Sequence, residues 1–340
     1  MSNETVLLAH GGGGRLTQEL IARVFLPRLD NPALRRLEDS AVLGLAGLPD
    51  GACLAFTTDS YVVKPLFFPG GDIGRLAVCG TVNDLAVCGA RPLYVSAAFV
   101  VEEGLPVETL AAVADSMRQA ATEAGVAVVT GDTKVVERGG ADQLFVTTAG
   151  VGLVPAGVAV SAASARPGDA VIVSGAIGDH GIAIVSRRAG LEMEAEVESD
   201  VAPLNHLIAA MLEASGEVRA IRDATRGGVA AVLNELATAS GVGVRLDEAR
   251  LVVHEPVQSA CDLLGYDPLY VANEGKLVAV VGAADAERVV EAMRRMRYGE
   301  EAAVVGEVVA EPKGRVLLRT RIGGTRIVTM PSGELLPRIC

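Results

Sequence analysis

The stretch Leu76-Ala77-Val78-Cys79-Gly80-Thr81-Val82-Asn83-Asp84-Leu85-Ala86-Val87-Cys88 is apolar on nearly every side of a helical wheel, yet it carries Asn83 and Asp84. A helix that is hydrophobic all round belongs in an interior. Asp72 stands where an N-cap is needed and Gly89 where a helix stops, so the spacing predicts a buried helix from Ile73 to about Cys88. A buried carboxylate is costly unless it is paired or metal-bound, so Asp84 needs a partner. Two are open: a structural ion pair with Arg75 or Arg91, or duty toward a metal or nucleotide.

Single carboxylates interrupt the flanking apolar segments in the same way. Glu38-Asp39-Ser40 precedes Ala41-Val42-Leu43, and the strand pattern from Ala52 to Thr58 closes on Asp59-Ser60. Downstream, Arg91 to Val101 reads as a strand and Pro106 to Ala124 as an amphipathic helix stopped by Gly125. Val126 to Thr130 then reads as a strand ending in Gly131-Asp132-Thr133-Lys134. Asp39, Asp59, Asp84 and Asp132 thus lie on four separate elements. Hard cations recruit oxygen ligands in this dispersed manner, and Mg²⁺ commonly arrives with nucleotide phosphates.

Ahead of these lies His10 followed by Gly11, Gly12, Gly13, Gly14 and Arg15, and then a helical pattern from Thr17 to Phe25. Such glycines can bring backbone N–H groups up to an anion just before a helix; they can equally form a flexible leader. The uncharged stretch Gln143 to Ala165 is long enough to raise the question of a bilayer span. Its threonines, its glycines and Pro155 favour a strand, a turn and a second strand.

Arg166-Pro167-Gly168-Asp169 marks a boundary, after which strands and helices alternate. Asp223 and Arg226 fall at a strand-to-helix junction. Asn273-Glu274-Gly275-Lys276 reads as a hairpin-like turn between Leu269 to Ala272 and Leu277 to Val281. His180, His206 and His254 lack a metal-spaced companion and read as structural or surface groups, and the acid run Glu192 to Asp200 as a solvated face. The expected divisions are a leader (1–36), an N-terminal domain (37–155), a C-terminal domain (166–329) and a tail (330–340).

A chain of 340 residues is long for one core, which supports two domains. With 42 acidic against 30 basic residues, its net charge of −12 argues against a nucleic acid or an anionic membrane as partner. Five cysteines without CxxC or zinc-type spacing, and a start carrying an acid and only a short apolar run, suggest a reduced, cytoplasmic protein. The tail, Met330-Pro331-Ser332-Gly333-Glu334-Leu335-Leu336-Pro337-Arg338-Ile339-Cys340, holds two further prolines and a glycine after Met330. It is expected to be a mobile arm that packs no core and reaches about 30 Å, with Arg338 and Cys340 sharing one edge.

The strings Thr-Thr-Asp-Ser, Gly-Thr-Val-Asn-Asp-Leu-Ala, Gly-Asp-Thr-Lys-Val, Asp-Ala-Thr-Arg-Gly-Gly and Asn-Glu-Gly-Lys resemble those of an ATP-dependent superfamily. That superfamily contains aminoimidazole ribonucleotide synthetase, selenophosphate synthetase and thiamine-monophosphate kinase. Joined to the His-Gly-Gly-Gly-Gly start and the Pro-Arg-Ile-Cys tail, they are similar to the hydrogenase maturation factors of the HypE family. Glu38 departs from the aspartate pair many superfamily members carry.

The resemblance implies an α/β (α+β) protein of two domains. Its N-terminal sheet would pair with that of a second subunit into a dimeric β-barrel core, beside a C-terminal α/β domain and a flexible tail. It further implies ATP and Mg²⁺ as cofactors and dehydration of an S-carboxamide on Cys340 to a thiocyanate, the source of cyanide for hydrogenase iron. The partners implied are a second copy of the chain, the carbamoyltransferase HypF and the HypC–HypD complex. The implied roles are catalysis for Cys340, Lys134 and Glu274, and Mg²⁺ binding for Asp39, Asp59, Asp84 and Asp132. His10, Gly12, Gly13, Asn83, Thr133 and Arg226 would join those aspartates around ATP. A selenophosphate-synthetase-like phosphoryl transfer and a non-enzymatic, ATP-gated thiol carrier are the alternative readings; the leader lacks the cysteine that the first would need.

Overall fold

The computed structural model describes residues 5–190, 197–333, 336 and 338–340. Residues 192–196 of the acid run, and tail positions 334, 335 and 337, lie outside the described residues.

The strands are β1 (Ala41–Leu43), β2 (Cys53–Tyr61), β3 (Phe67–Phe68), β4 (Gly71–Asp72), β5 (Arg91–Glu102), β6 (Ala127–Val136) and β7 (Leu144–Val154) in the first half. The second half contains β8 (Ala170–Val173), β9 (Val218–Asp223), β10 (Gly243–Asp247), β11 (Leu277–Val281), β12 (Ala303–Val309), β13 (Arg315–Arg319) and β14 (Thr325–Val328). The α-helices are α1 (Arg15–Leu20), α2 (Leu26–Leu29), α3 (Ile73–Val87), α4 (Val107–Ala124), α5 (Asp179–Ala189), α6 (Asn205–Ala214), α7 (Gly228–Ser240), α8 (Glu255–Leu264) and α9 (Ala286–Arg294).

The first sheet has the order β1-β2-β7-β5-β6, antiparallel except for the parallel β5/β6 edge pair. The second has the order β14-β13-β10-β12-β8-β11-β9 and is antiparallel except for β10/β13. Helix α7 packs one of its faces, and α6 and α9 pack the other.

The predicted buried helix is α3, and it joins the two halves. Asp72 caps it by accepting from the N–H groups of Gly74 and Arg75. Its residues pack against β2, β5 and β7 on one side and against α6 and β9 on the other. Two glycines permit this approach. A Cβ on Gly80 would lie 2.2 Å from the Tyr61 hydroxyl, and one on Gly150 would lie 2.7 Å from Thr81.

Several expectations are corrected. Strand β6 runs through Val136, so Asp132, Thr133 and Lys134 lie within an edge strand and not in a loop; pairing with β5 as far as Glu102 carries it on. After β7 the chain enters turns and irregular backbone to Ala165, and no second strand forms there. Leu269 to Ala272 is a short 3₁₀ turn and coil, so no hairpin forms around Asn273 and Glu274, and both are buried. No helix among the described residues is long and apolar enough to cross a membrane.

The tail also departs from its expectation, because its described residues do pack a core. Leu336 and Ile339 are buried with α5, α8 and β-sheet residues. Val62 N–H donates to the Cys340 carbonyl (3.1 Å) and Lys64 N–H to that of Arg338 (3.2 Å), an antiparallel pairing. The physical reason is the apolar surface of Leu336 and Ile339, which is worth more buried than the prolines cost. The first sheet, meanwhile, remains open within the single chain, and no barrel closes.

Candidate active site

Strand β2 presents alternate residues Ala55, Thr57, Asp59 and Tyr61 toward α3, as period-2 geometry requires. Asp84 meets this row from α3, where its Oδ2 accepts from the Thr57 hydroxyl at 2.8 Å. Asp39 arrives from the segment before β1, and Asp223 from the end of β9. Burial drives the proton affinity of Asp84 well up, and Asp223, Asp39 and Asp59 reinforce this in that order. Asp223 is pushed up to about 7, by burial first and Asp39 next. Of the two open readings, the ion pair with Arg75 does not form: Arg75 is engaged by Glu123 at 2.8 Å, and the main charges acting on Asp84 are acidic.

One cation does serve this group. Arg222, on β9, lies 2.9 Å from Asp39, 3.2 Å from Glu235 and 3.7 Å from Glu38, and donates to the Leu37 carbonyl. Glu38 is a tether, accepting from the Ser161 hydroxyl (2.6 Å) and the Ala162 N–H. Raised carboxylate pKa values make the ligand-free cluster a standing cost. The penalty is absent below the ordinary carboxylate range and grows as pH rises through the folded-state values. Among the described residues no three acids converge into a preformed metal site.

Beside the acids lies the tail. Arg226 is exposed to solvent, and the groups that favour its charged form are Cys340 first and then Asp59, Glu274 and Tyr61. Glu274 is 3 % exposed, and its Oε1 has no hydrogen-bond partner. Burial, then Asp223, Asp200 and Asp59, raise its proton affinity well above the usual range, against Arg226. It is therefore no solvated turn residue.

The glycine leader closes over Arg226. Arg226 donates to the Gly11 carbonyl at 2.9 Å, a Cβ on Gly13 would meet that of Arg226 at 2.9 Å, and Gly13 is at φ +74°. Gly12 shares a small cavity with Arg226, Leu336 and Ile339. His10 caps the leader turn, its ring accepting from Leu7 N–H. Asn83 is a clip: its amide donates to Ala202 and Glu274 carbonyls and accepts from Leu204 N–H, so its polar atoms are committed to backbone.

Asp132, Thr133 and Lys134 stand apart. They are exposed on β6, where Lys134 pairs with Asp132 at 3.0 Å and holds that carboxyl below its usual range. Arg338 does not accompany Cys340 as expected. At φ +55° it turns away to Asp142 (2.5 Å) and the Val62 carbonyl, and the cation on which Cys340 acts most is Arg226.

Residues 37–154 match the AIR synthase related protein, N-terminal domain, and residues 166–319 match the C-terminal domain of the same family. The carbamoyl dehydratase HypE of Cupriavidus necator is 52% identical over 333 residues, covering 98% of this chain and 94% of the relative. The chain belongs to the HypE family of carbamoyl dehydratases. Solved HypE structures share its architecture. One, a HypE–HypF complex, gives a TM-score of 0.86 at 49% identity, covering 92% of this chain and 99% of its counterpart. A HypE structure described as a complex with ATP gives 0.82 at 47% identity, covering 99% and 100%. Membership in the HypE family makes the chain an enzyme of hydrogenase maturation.

Proposed function

We propose that the chain dehydrates an S-carboxamide on its own Cys340 to a thiocyanate at the expense of ATP, giving ADP and phosphate. The observation that carries this reading is the docked tail: Cys340 packs against the core with Leu336 and Ile339, next to a cavity lined by Gly12, Arg226 and Ile339, while the buried Glu274 Oε1 lacks a hydrogen-bond partner. ATP supplies a γ-phosphoryl group that turns the carbamoyl oxygen into a phosphate leaving group, and Mg²⁺ spreads the charge that develops. Asp39, Asp59 and Asp84 fit a hard cation: they are oxygen donors, and the charges felt by Asp84 are other acids. Glu274 takes protons from the carbamoyl nitrogen as the oxygen departs and the C–N bond becomes triple. Arg226 holds the sulfur end of the tail while the leader covers the pocket.

Asp132 and Lys134 enter this reading through a second copy. Phe56, Tyr94, Val128, Val129 and Val135 are exposed on the open face and edge of the first sheet. An uncovered apolar edge strand is a pairing surface. A homodimer joined there, with a barrel formed from two sheets, would deliver Asp132 and Lys134 to the neighbouring pocket. Carbamoylation by HypF and handover to HypC–HypD, in the cytoplasm, complete the proposed sequence.

Two tests follow. Asp84→Asn is expected to weaken ATP binding in the presence of Mg²⁺ by about tenfold or more, since one charge-assisted contact is lost; a titration with unchanged affinity would return Asp84 to a structural role. Val129→Lys with Val135→Lys is expected to convert a dimer to a monomer in sedimentation. A wild-type chain already monomeric at micromolar concentration would refute the pairing.

A further inference from the structure

His180, at the start of α5, is fully buried, with Phe68 edge-on at 5.5 Å between ring centroids. Its Nδ1 lies 2.8 Å from the Ser199 hydroxyl and its Nε2 2.7 Å from the carbonyl of Ile339, the residue before Cys340. A carbonyl only accepts, so Nε2 carries the proton. Nδ1 then accepts from Ser199, whose oxygen in turn accepts from Val201 N–H at 3.1 Å. The chain of donors fixes one neutral tautomer. Burial also depresses the basicity of the ring, consistent with this state.

The other ties on the tail differ in kind. Arg338 with Asp142 is a partly buried ion pair, and Val62 and Lys64 offer backbone N–H groups. Arg188 donates to the carbonyls of Lys64 and Arg338 from the other side. His180 and Arg188, both on α5, thus tie the tail from the C-terminal half, His180 buried and Arg188 exposed, whereas Val62, Lys64 and Asp142 belong to the N-terminal half.

We propose that His180 is a positioning residue: its Nε2–H latches the Ile339 carbonyl and sets how long Cys340 stays docked, without contacting the reacting atoms. The inference deepens the proposed function and rests on it only for its catalytic consequence. Breaking the latch strands a buried carbonyl, which shifts the tail toward release by about tenfold.

The test is maleimide labelling of the unmodified full chain without ATP, read by peptide mass spectrometry as the ratio of Cys340 to Cys53, a half-buried internal reference. His180→Phe is expected to raise that ratio by about tenfold, and His180→Gln, whose amide can donate in place of Nε2, to restore most of the protection. An unchanged ratio in His180→Phe, or equal ratios in the two variants, overturns the latch. Should His180→Phe fail to fold, imidazole NMR of the wild type decides. The slowly exchanging Nε2–H signal of His180 is expected to vanish on deletion of residues 336–340, and its persistence overturns the assignment. Because labelling needs neither ATP nor a carbamoyl group, its outcome is independent of whether the dehydration reading holds.

Discussion

Glu274→Gln is expected to slow single-turnover dehydration of the carbamoylated chain by about 10²- to 10⁴-fold, the range for losing a positioned general base. ATP affinity should stay within about twofold, because the substitution preserves volume and the Glu274 backbone ties: its N–H donates to Asp200 at 2.9 Å. The carboxylate suits the task because burial and the acids around it raise its proton affinity well above the usual carboxylate range. The base must be ionised to act, so the wild-type rate should climb with pH through that raised value, and the variant should lose the climb. A variant rate within about threefold of wild type would remove Glu274 from the chemistry.

Arg222→Met is expected to cost about 3–5 kcal/mol of folding stability, the usual effect of deleting one partner from a buried ionic group. Arg222 is 12% exposed at its side chain and compensates Asp39, Glu38 and Glu235 at once. Methionine replaces much of the volume but none of the charge. The sign with pH is fixed: without the guanidinium Asp39 and Glu235, already raised by burial, are raised further in the folded state. The loss should therefore be largest at neutral pH and fade toward the ordinary carboxylate range, where they protonate in both states. Urea melts at two pH values check this, and a loss under about 1 kcal/mol at neutral pH would show that water already compensates the acids.

What the sequence discloses about this site is mostly local. Helix α3 is legible because its cap, its apolar girdle and its stop lie within one stretch, and Asp84 stands out in it for the same reason. Asp39 and Asp59 are also brought to it, as their positions beside apolar strands suggest. Asp223 and Arg222 are harder to read. Their importance comes from β9 crossing α3, a contact between segments more than a hundred residues apart, and the only local signal is two opposite charges ending a strand. Asp132 misleads because Gly131 looks like a strand terminator, whereas the long partner β5 carries pairing past it. Glu274 sits among turn-forming residues, and its burial comes from contacts distant in sequence, among them Asn83 and Ala202 on its carbonyl and Asp200 on its N–H. For the tail, prolines and glycine outweigh Leu336 and Ile339 in a local reading. Those two apolar residues, three apart, were the available signal for docking.

The most direct measurement is the mass of the Cys340 peptide after the carbamoylated chain has been incubated with ATP and Mg²⁺, alongside released phosphate. Loss of one water from the adduct with one phosphate freed per chain is the predicted result. An adduct of unchanged mass, with ATP intact or hydrolysed without dehydration, would rule out ATP-driven dehydration of a carboxamide on Cys340.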